Sequence, residues 1–182
     1  EMRNPWLRWF PGNLSGREVV VASCHIGSVY LVLAQRRAEV DPVDIVIILE
    51  DDVVVSSSDW ISPWIDSVNL HGHMNYSPGY FRIPAYEKYW LRPDSKGTPE
   101  DPFSYSVVTG QCTALRVELI RSKVGYVNPQ FQGYGHGHVE WASRLVRLGY
   151  GGHWDDHSPR AFYAIRSGVE IQPAVSNKNQ TE

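Results

Sequence analysis

Two hydrophobic periods alternate along the first seventy residues. Residues 18–24 bring Val19, Val20 and Val21 together after a stretch, 10–16, that carries Pro, Gly and Asn, so a loop is expected to lead into a first strand. Ser28 is placed to cap a helix running to about residue 40, with Leu31, Ala34 and Ala38 at helical spacing and Pro42 beyond its end. Asp44 then precedes five aliphatic residues, 45–49, the pattern of a central parallel strand covered on both faces. Its carboxyl end carries Glu50, Asp51 and Asp52. Asp59 can cap a second helix whose stripe is Ile61, Trp64, Ile65 and Val68. Strand, helix, strand, helix is an α/β opening.

Across residues 70–104 the periodicity is lost. Prolines recur at 78, 84, 93, 99 and 102, and aromatics gather at Tyr76, Tyr80, Phe81, Tyr86, Tyr89 and Trp90. A loop this long is usually functional or disordered, and its aromatic content predicts an ordered binding insert in which Tyr86 and Trp90 stack on a substrate. Regular pattern returns as a strand near 105–109 and a helix over 117–123 stopped by Gly125. After the glycine-rich stretch 132–137, a helix over 138–148 shows Trp141, Leu145 and Leu148 on one face. Residues 173–182 are mostly polar and read as a frayed tail. Residues 1–182 are read as a single domain.

Composition narrows the partners. With 42% hydrophobic and 20% charged residues, 182 residues suffice for one buried core. A net charge of -3 argues against nucleic acid or an anionic membrane as the main partner. No apolar run approaches the length of a transmembrane segment. Cys24 and Cys112 sit in apolar strand-like contexts and read as buried free thiols. Cellular compartment stays open between cytoplasm and secretory lumen.

Three consecutive carboxylates at the end of a buried strand repel one another unless a cation or hydrogen-bond donors compensate. In open α/β sheets, ligands bind outside the carboxyl ends of the strands, where these three fall. Hard oxygen donors there suit Mg²⁺ or Mn²⁺ completed by substrate phosphates and water. The competing reading is a solvated turn in which one carboxylate caps the next segment.

The run IVIILEDDVVVS at 45–56, followed by an aromatic helix, resembles the acidic DxD-type motif of GT-A nucleotide-sugar glycosyltransferases in a Glu-Asp-Asp form. VTGQCTALRVELI at 108–120, GYVNPQF at 125–131 and GYGHGHVEW at 133–141 are similar to the acceptor-side half of family 2-like members. The resemblance implies a Rossmann-like GT-A fold, a mixed, mostly parallel sheet flanked by helices. It also implies a metal-dependent, inverting transfer from a nucleotide-sugar, a UDP-sugar first, to a hydroxyl on a glycan, protein or small molecule. Asp52 would bind Mn²⁺ or Mg²⁺, Glu50 and Asp51 would contact the nucleotide-sugar or metal-bound water, Gly110 would face the nucleotide-sugar, and Gly135, His136 and Gly137 the substrate. Where the family typically has Glu-Asp, this chain has Gly137-His138, which makes His138 the expected base and Glu140 its rival. Fewer residues than usual precede the acidic run, and the chain starts at Glu1, so a fragment or shortened variant lacking much of the nucleotide pocket is expected.

His153 and His157 are four apart, so a helical turn would put them on one face, and His157 is the expected further metal ligand, since family members often draw one from a segment downstream of the Gly-rich helix. His71 and His73, inside the insert, are expected at the surface. Asn13, Asn75 and Asn179 head glycosylation-type tripeptides. Two other functions stay open: a catalytically degenerate carbohydrate-binding domain, and a metallohydrolase built on the His pairs with Asp155 and Asp156.

Overall fold

A computed structural model describes residues 7–14, 16–24, 43–50, 52–131 and 136–171. The expected helix at 28–40, Asp51, Gly135, Asn179 and the tail at 173–182 lie outside the described residues, as does the Cys24 side chain.

The chain opens with an antiparallel hairpin of β1 (Leu7–Leu14) and β2 (Arg17–Cys24). β3 (Ile45–Glu50) lies parallel to β2 and leads through a tight turn to β4 (Val53–Val55). Next come α1 (Ile61–His71), β5 (His73–Tyr76), two 3₁₀ turns at Gly79–Arg82 and Pro84–Tyr89, β6 (Phe103–Tyr105) and β7 (Cys112–Arg116). α2 (Val117–Leu119) widens into a π-helical turn over Ile120–Val124. α3 (His136–Arg147), β8 (Gly152–Asp155), β9 (Ser158–Ile165) and β10 (Val169–Ile171) complete it. Eight strands form one sheet in the order β1-β2-β3-β7-β5-β9-β6, with β8 on β9, while β4 and β10 pair separately.

Burial follows the two periods. Along β3, Ile45, Ile47 and Leu49 face α1 with Trp64, Ile65 and Val68, whereas Val46 and Ile48 face Trp141 and Leu145 of α3. All six β3 residues are buried, as its unbroken apolar run requires. The same run does not fix strand direction. β2–β3 and β5–β9 are parallel, but β1–β2, β3–β7, β5–β7, β6–β9 and β8–β9 are antiparallel. The sheet is therefore mixed but mostly antiparallel, not mostly parallel, and few helices flank it. Apolarity on both faces reports covering, and β7 runs against β3 because residues 106–111 deliver the chain to the edge where β3 ends: the Glu50 amide donates to the Gln111 carbonyl at 2.8 Å.

Several local expectations change for similar reasons. Residues 10–14 are strand, not loop, because Pro11 sits in β1, the outermost strand among the described residues, where a missing N–H is tolerated. Asp59 accepts the Ser62 hydroxyl at 2.6 Å and does not cap a backbone amide. The strand expected at 105–109 ends at Tyr105, and β5 occupies the start of the expected insert. On α3, Trp141 and Leu145 are buried as their spacing requires, but Leu148 is 47% exposed, and Ala142 and Val146 fill the face instead. Cys112 is a fully buried free thiol whose pKa burial raises. No described helix is long and apolar enough to cross a membrane.

Candidate active site

Strands β2, β3, β5 and β9 all point their carboxyl ends to one edge of the sheet. Alternation from Val46 and Ile48 puts Glu50 on the α3 face, and alternation from Leu115 and Thr113 puts Gln111 there too. Glu50 is only 6% exposed. His138, in the first turn of α3, reaches it with Nε2 at 3.2 Å from Glu50 Oε1. The ring lies directly over Gly110: a Cβ on that residue would stand 2.3–2.4 Å from three of the ring atoms. Gly110 is thus small because His138 covers its α-carbon. Beside them, the Gln111 side-chain oxygen is buried with no hydrogen-bond partner among the described residues. Gln111 escaped sequence reasoning because only the β3–β7 register sets it beside Glu50.

Asp52 lies half-buried in the turn between β3 and β4. Among the described residues no three His, Cys, Asp or Glu side chains gather into a metal centre. A carboxylate at a strand end suits a cation whose remaining ligands are substrate phosphates, and Asp52 has that chemistry. Glu140 does not join Glu50 and His138. Its Oε2 accepts from Arg144 Nη2 at 3.0 Å, its Oε1 lies 2.7 Å from Arg144 Nε as an ion pair, and Arg144 also donates to the carbonyls of Val124 and Tyr126, tying α3 to the preceding loop. His136 is exposed at the start of α3, and Gly137 is buried.

Tyr86 and Trp90 pack into an aromatic satellite core. The Trp90 indole N–H donates to the Phe81 carbonyl, and Tyr86 stacks on Phe81 with ring centres 5.6 Å apart. Phe81, Tyr105 and Ala164 form the buried centre of this cluster, with Tyr86, Trp90 and Phe103 against it. Trp90→Ala is accordingly expected to destabilise the fold by about 3 kcal/mol, read from urea unfolding. Unchanged stability with weakened sugar binding would instead give Trp90 the stacking role expected from sequence.

The remaining His residues are dispersed. His153 is on β8 and His157 in the β8–β9 turn, both exposed, so strand geometry replaces the helical turn that would have paired them. The Asp155 carboxylate accepts the His157 backbone N–H at 2.9 Å. His157 precedes β9, and β9 meets β5 only at Ala164 and Ile165, so His157 lies roughly 25 Å of strand away from the edge that holds Glu50. His73, expected at the surface, is fully buried in β5. Its Nε2 lies 3.0 Å from Thr113 Oγ1 and its ring meets Trp141 edge-on. His71 is half-buried, with Nε2 2.7 Å from the Pro99 carbonyl. Asn75 is buried in β5 and donates to the Tyr163 carbonyl, which closes it to glycosylation in the folded chain, whereas Asn13 is exposed.

The chain matches no protein-family model, no curated protein sequence and no solved structure.

Proposed function

We propose that this chain is a nucleotide-sugar glycosyltransferase domain of the GT-A kind, moving a hexosyl group from a UDP-sugar to a hydroxyl acceptor with inversion. The observation that supports this reading is the Glu50–His138 contact over Gly110. Three separate stretches of sequence, each part of a block resembling that family, meet at one point on the carboxyl edge of the sheet.

In this reading the Glu50 carboxylate, 3.2 Å from His138 Nε2, favours the Nε2–H tautomer by its charge and leaves Nδ1 as the basic nitrogen. Nδ1 takes the acceptor hydroxyl proton as that oxygen bonds to the anomeric carbon from the face opposite the breaking bond to diphosphate. The Gln111 oxygen accepts a hydroxyl or amide hydrogen of the bound substrate and so orients it. Asp52 would hold Mn²⁺ or Mg²⁺, with Asp51 toward the nucleotide-sugar or metal-bound water. When bound, that cation offsets charge on the leaving diphosphate.

Titration of the chain with UDP and GDP, with and without Mn²⁺, tests the reading. Mn²⁺-dependent UDP binding is expected, and Asp52→Ala is expected to abolish it while the chain stays folded, as read by circular dichroism. UDP affinity that ignores both Mn²⁺ and the Asp52 substitution would overturn the metal-dependent reading.

A further inference from the structure

Farther along the same edge, the end of β9 and the start of β6 border an open depression of about 370 Å³ lined by Arg82, Lys96, Gly97, Phe103, Arg166 and Ser167. Three of these six residues are cations and none is an acid. A lone surface cation is worth little to a ligand, because water and salt screen it. Here the cations are held in place. The Arg82 guanidinium sits 4.7 Å over the Phe103 ring and 5.0 Å over Trp90. Arg166 donates from Nε to the Ser77 carbonyl at 3.1 Å and from Nη2 to the Pro78 carbonyl at 3.4 Å. Its charge is thus anchored without being neutralised.

The nearby acid is engaged elsewhere. Asp101 accepts Arg92 on one oxygen at 2.6 Å and the Lys96 backbone amide on the other at 3.1 Å, which shapes the loop; the Lys96 charge is felt at Asp101 but its ammonium makes no ion pair within 4 Å of a described carboxylate. None of Arg82, Lys96 and Arg166 forms an ion pair with a carboxylate among the described residues. The Arg82 guanidinium, preorganised over two aromatic rings, and the carbonyl-anchored Arg166 suit a carboxylate that arrives on an apolar-faced ring.

We propose that this depression binds the acidic group of a sugar acid carried by the acceptor, so that the acceptor is an anionic oligosaccharide. Naming the ligand an acceptor rests on the transferase reading; the pocket's taste for an acidic sugar does not. Position supports it. β9 lies three strand positions from β3, about 14 Å at ordinary spacing, a span that an oligosaccharide covers and a single sugar does not. That separation also keeps the pocket away from a diphosphate held at Asp52.

The test titrates the whole chain with a hyaluronan tetrasaccharide, with chitotetraose as its uncharged counterpart, and with UDP plus Mn²⁺. The acidic tetrasaccharide is expected to bind roughly tenfold more tightly than chitotetraose. The Arg82→Gln, Lys96→Gln double variant, both positions exposed, should erase that preference and leave UDP affinity unchanged. Equal binding of the two oligosaccharides by the wild type overturns the proposal, and so does retention of the preference by the double variant. Loss of UDP binding in the double variant overturns it too, by assigning the cations to the donor phosphates. Acid-selective sugar binding without any UDP binding would keep the acidic-sugar pocket and remove the transferase reading.

Discussion

His138→Gln is expected to lower kcat by roughly 10² to 10⁴ while leaving UDP affinity and folding intact. Glutamine keeps a donor for the buried Glu50 carboxylate, so the change removes the basic nitrogen without stranding a charge. Gly110→Ala should act in the same direction by another route, because its Cβ would collide with the ring and push it off Glu50. Glu140→Gln is the contrast. It weakens the Arg144 pair, but Arg144 retains the Val124 and Tyr126 carbonyls, so a modest loss of stability with near-normal turnover is expected. Steady-state kinetics on the three variants, with a UDP-sugar that the wild type turns over, separates the roles. A strong kcat loss in Glu140→Gln with none in His138→Gln would move the base to Glu140. Near-normal turnover in both would remove the base assignment altogether.

What the sequence made legible depended on how local the determining physics was. β3, α1 and α3 were readable because each carries its own period, and Ile45 to Leu49 or Trp141 and Leu145 need no distant information to be assigned to a core. Strand direction was not readable. An unbroken apolar run is the same whether a neighbour is parallel, as β2 is, or antiparallel, as β7 is. His73 looked like a loop residue because a polar side chain in a strand declares itself buried only once Thr113 and Trp141 are in place around it. His153 and His157 were paired by a helical spacing that a strand does not honour. In the candidate site, Glu50 and His138 stood out by residue type and motif, but their contact requires the docking of α3 on β3. The motif places Gly110 beside a ligand, whereas its smallness answers first to the His138 ring. The aromatic face of Trp90 suggests a stacking platform, but a satellite core covers it in part.

Acid should destabilise this fold steeply, and His73 is expected to carry much of the effect. Burial lowers its pKa from the ordinary 6.5 to about 3, because nothing around the ring repays the desolvation of a charge. The Thr113 hydroxyl donates toward the Met74 carbonyl at 3.3 Å and so accepts the His73 Nε2–H, which leaves Nδ1 bare and buried. Gly151, at φ 70°, lies so close that a Cβ there would stand 2.6 Å from both Nδ1 and the His73 carbonyl oxygen, so no larger residue fits without moving the ring. The folded state therefore holds the neutral form, and the unfolded chain binds a proton near pH 6.5. Above pH 6.5 the ring contributes no pH dependence. Below it, stability falls by about 1.4 kcal/mol per pH unit until the folded pKa is reached, which amounts to about 3 kcal/mol at pH 4. That is a large share of the roughly 5–15 kcal/mol that holds a typical domain together. Trp141, which meets His73 edge-on, lies one turn after His138 on α3, so protonation should loosen the helix that carries the proposed base. Urea unfolding of the wild type and of His73→Phe at pH 7 and pH 4 measures the difference. The wild type should lose about 3 kcal/mol more than the variant between the two pH values. His73→Gln, which keeps a donor for Thr113, serves the same comparison if phenylalanine overpacks the site. Equal losses in wild type and variant would show that the acid sensitivity resides in the carboxylates and not in this ring.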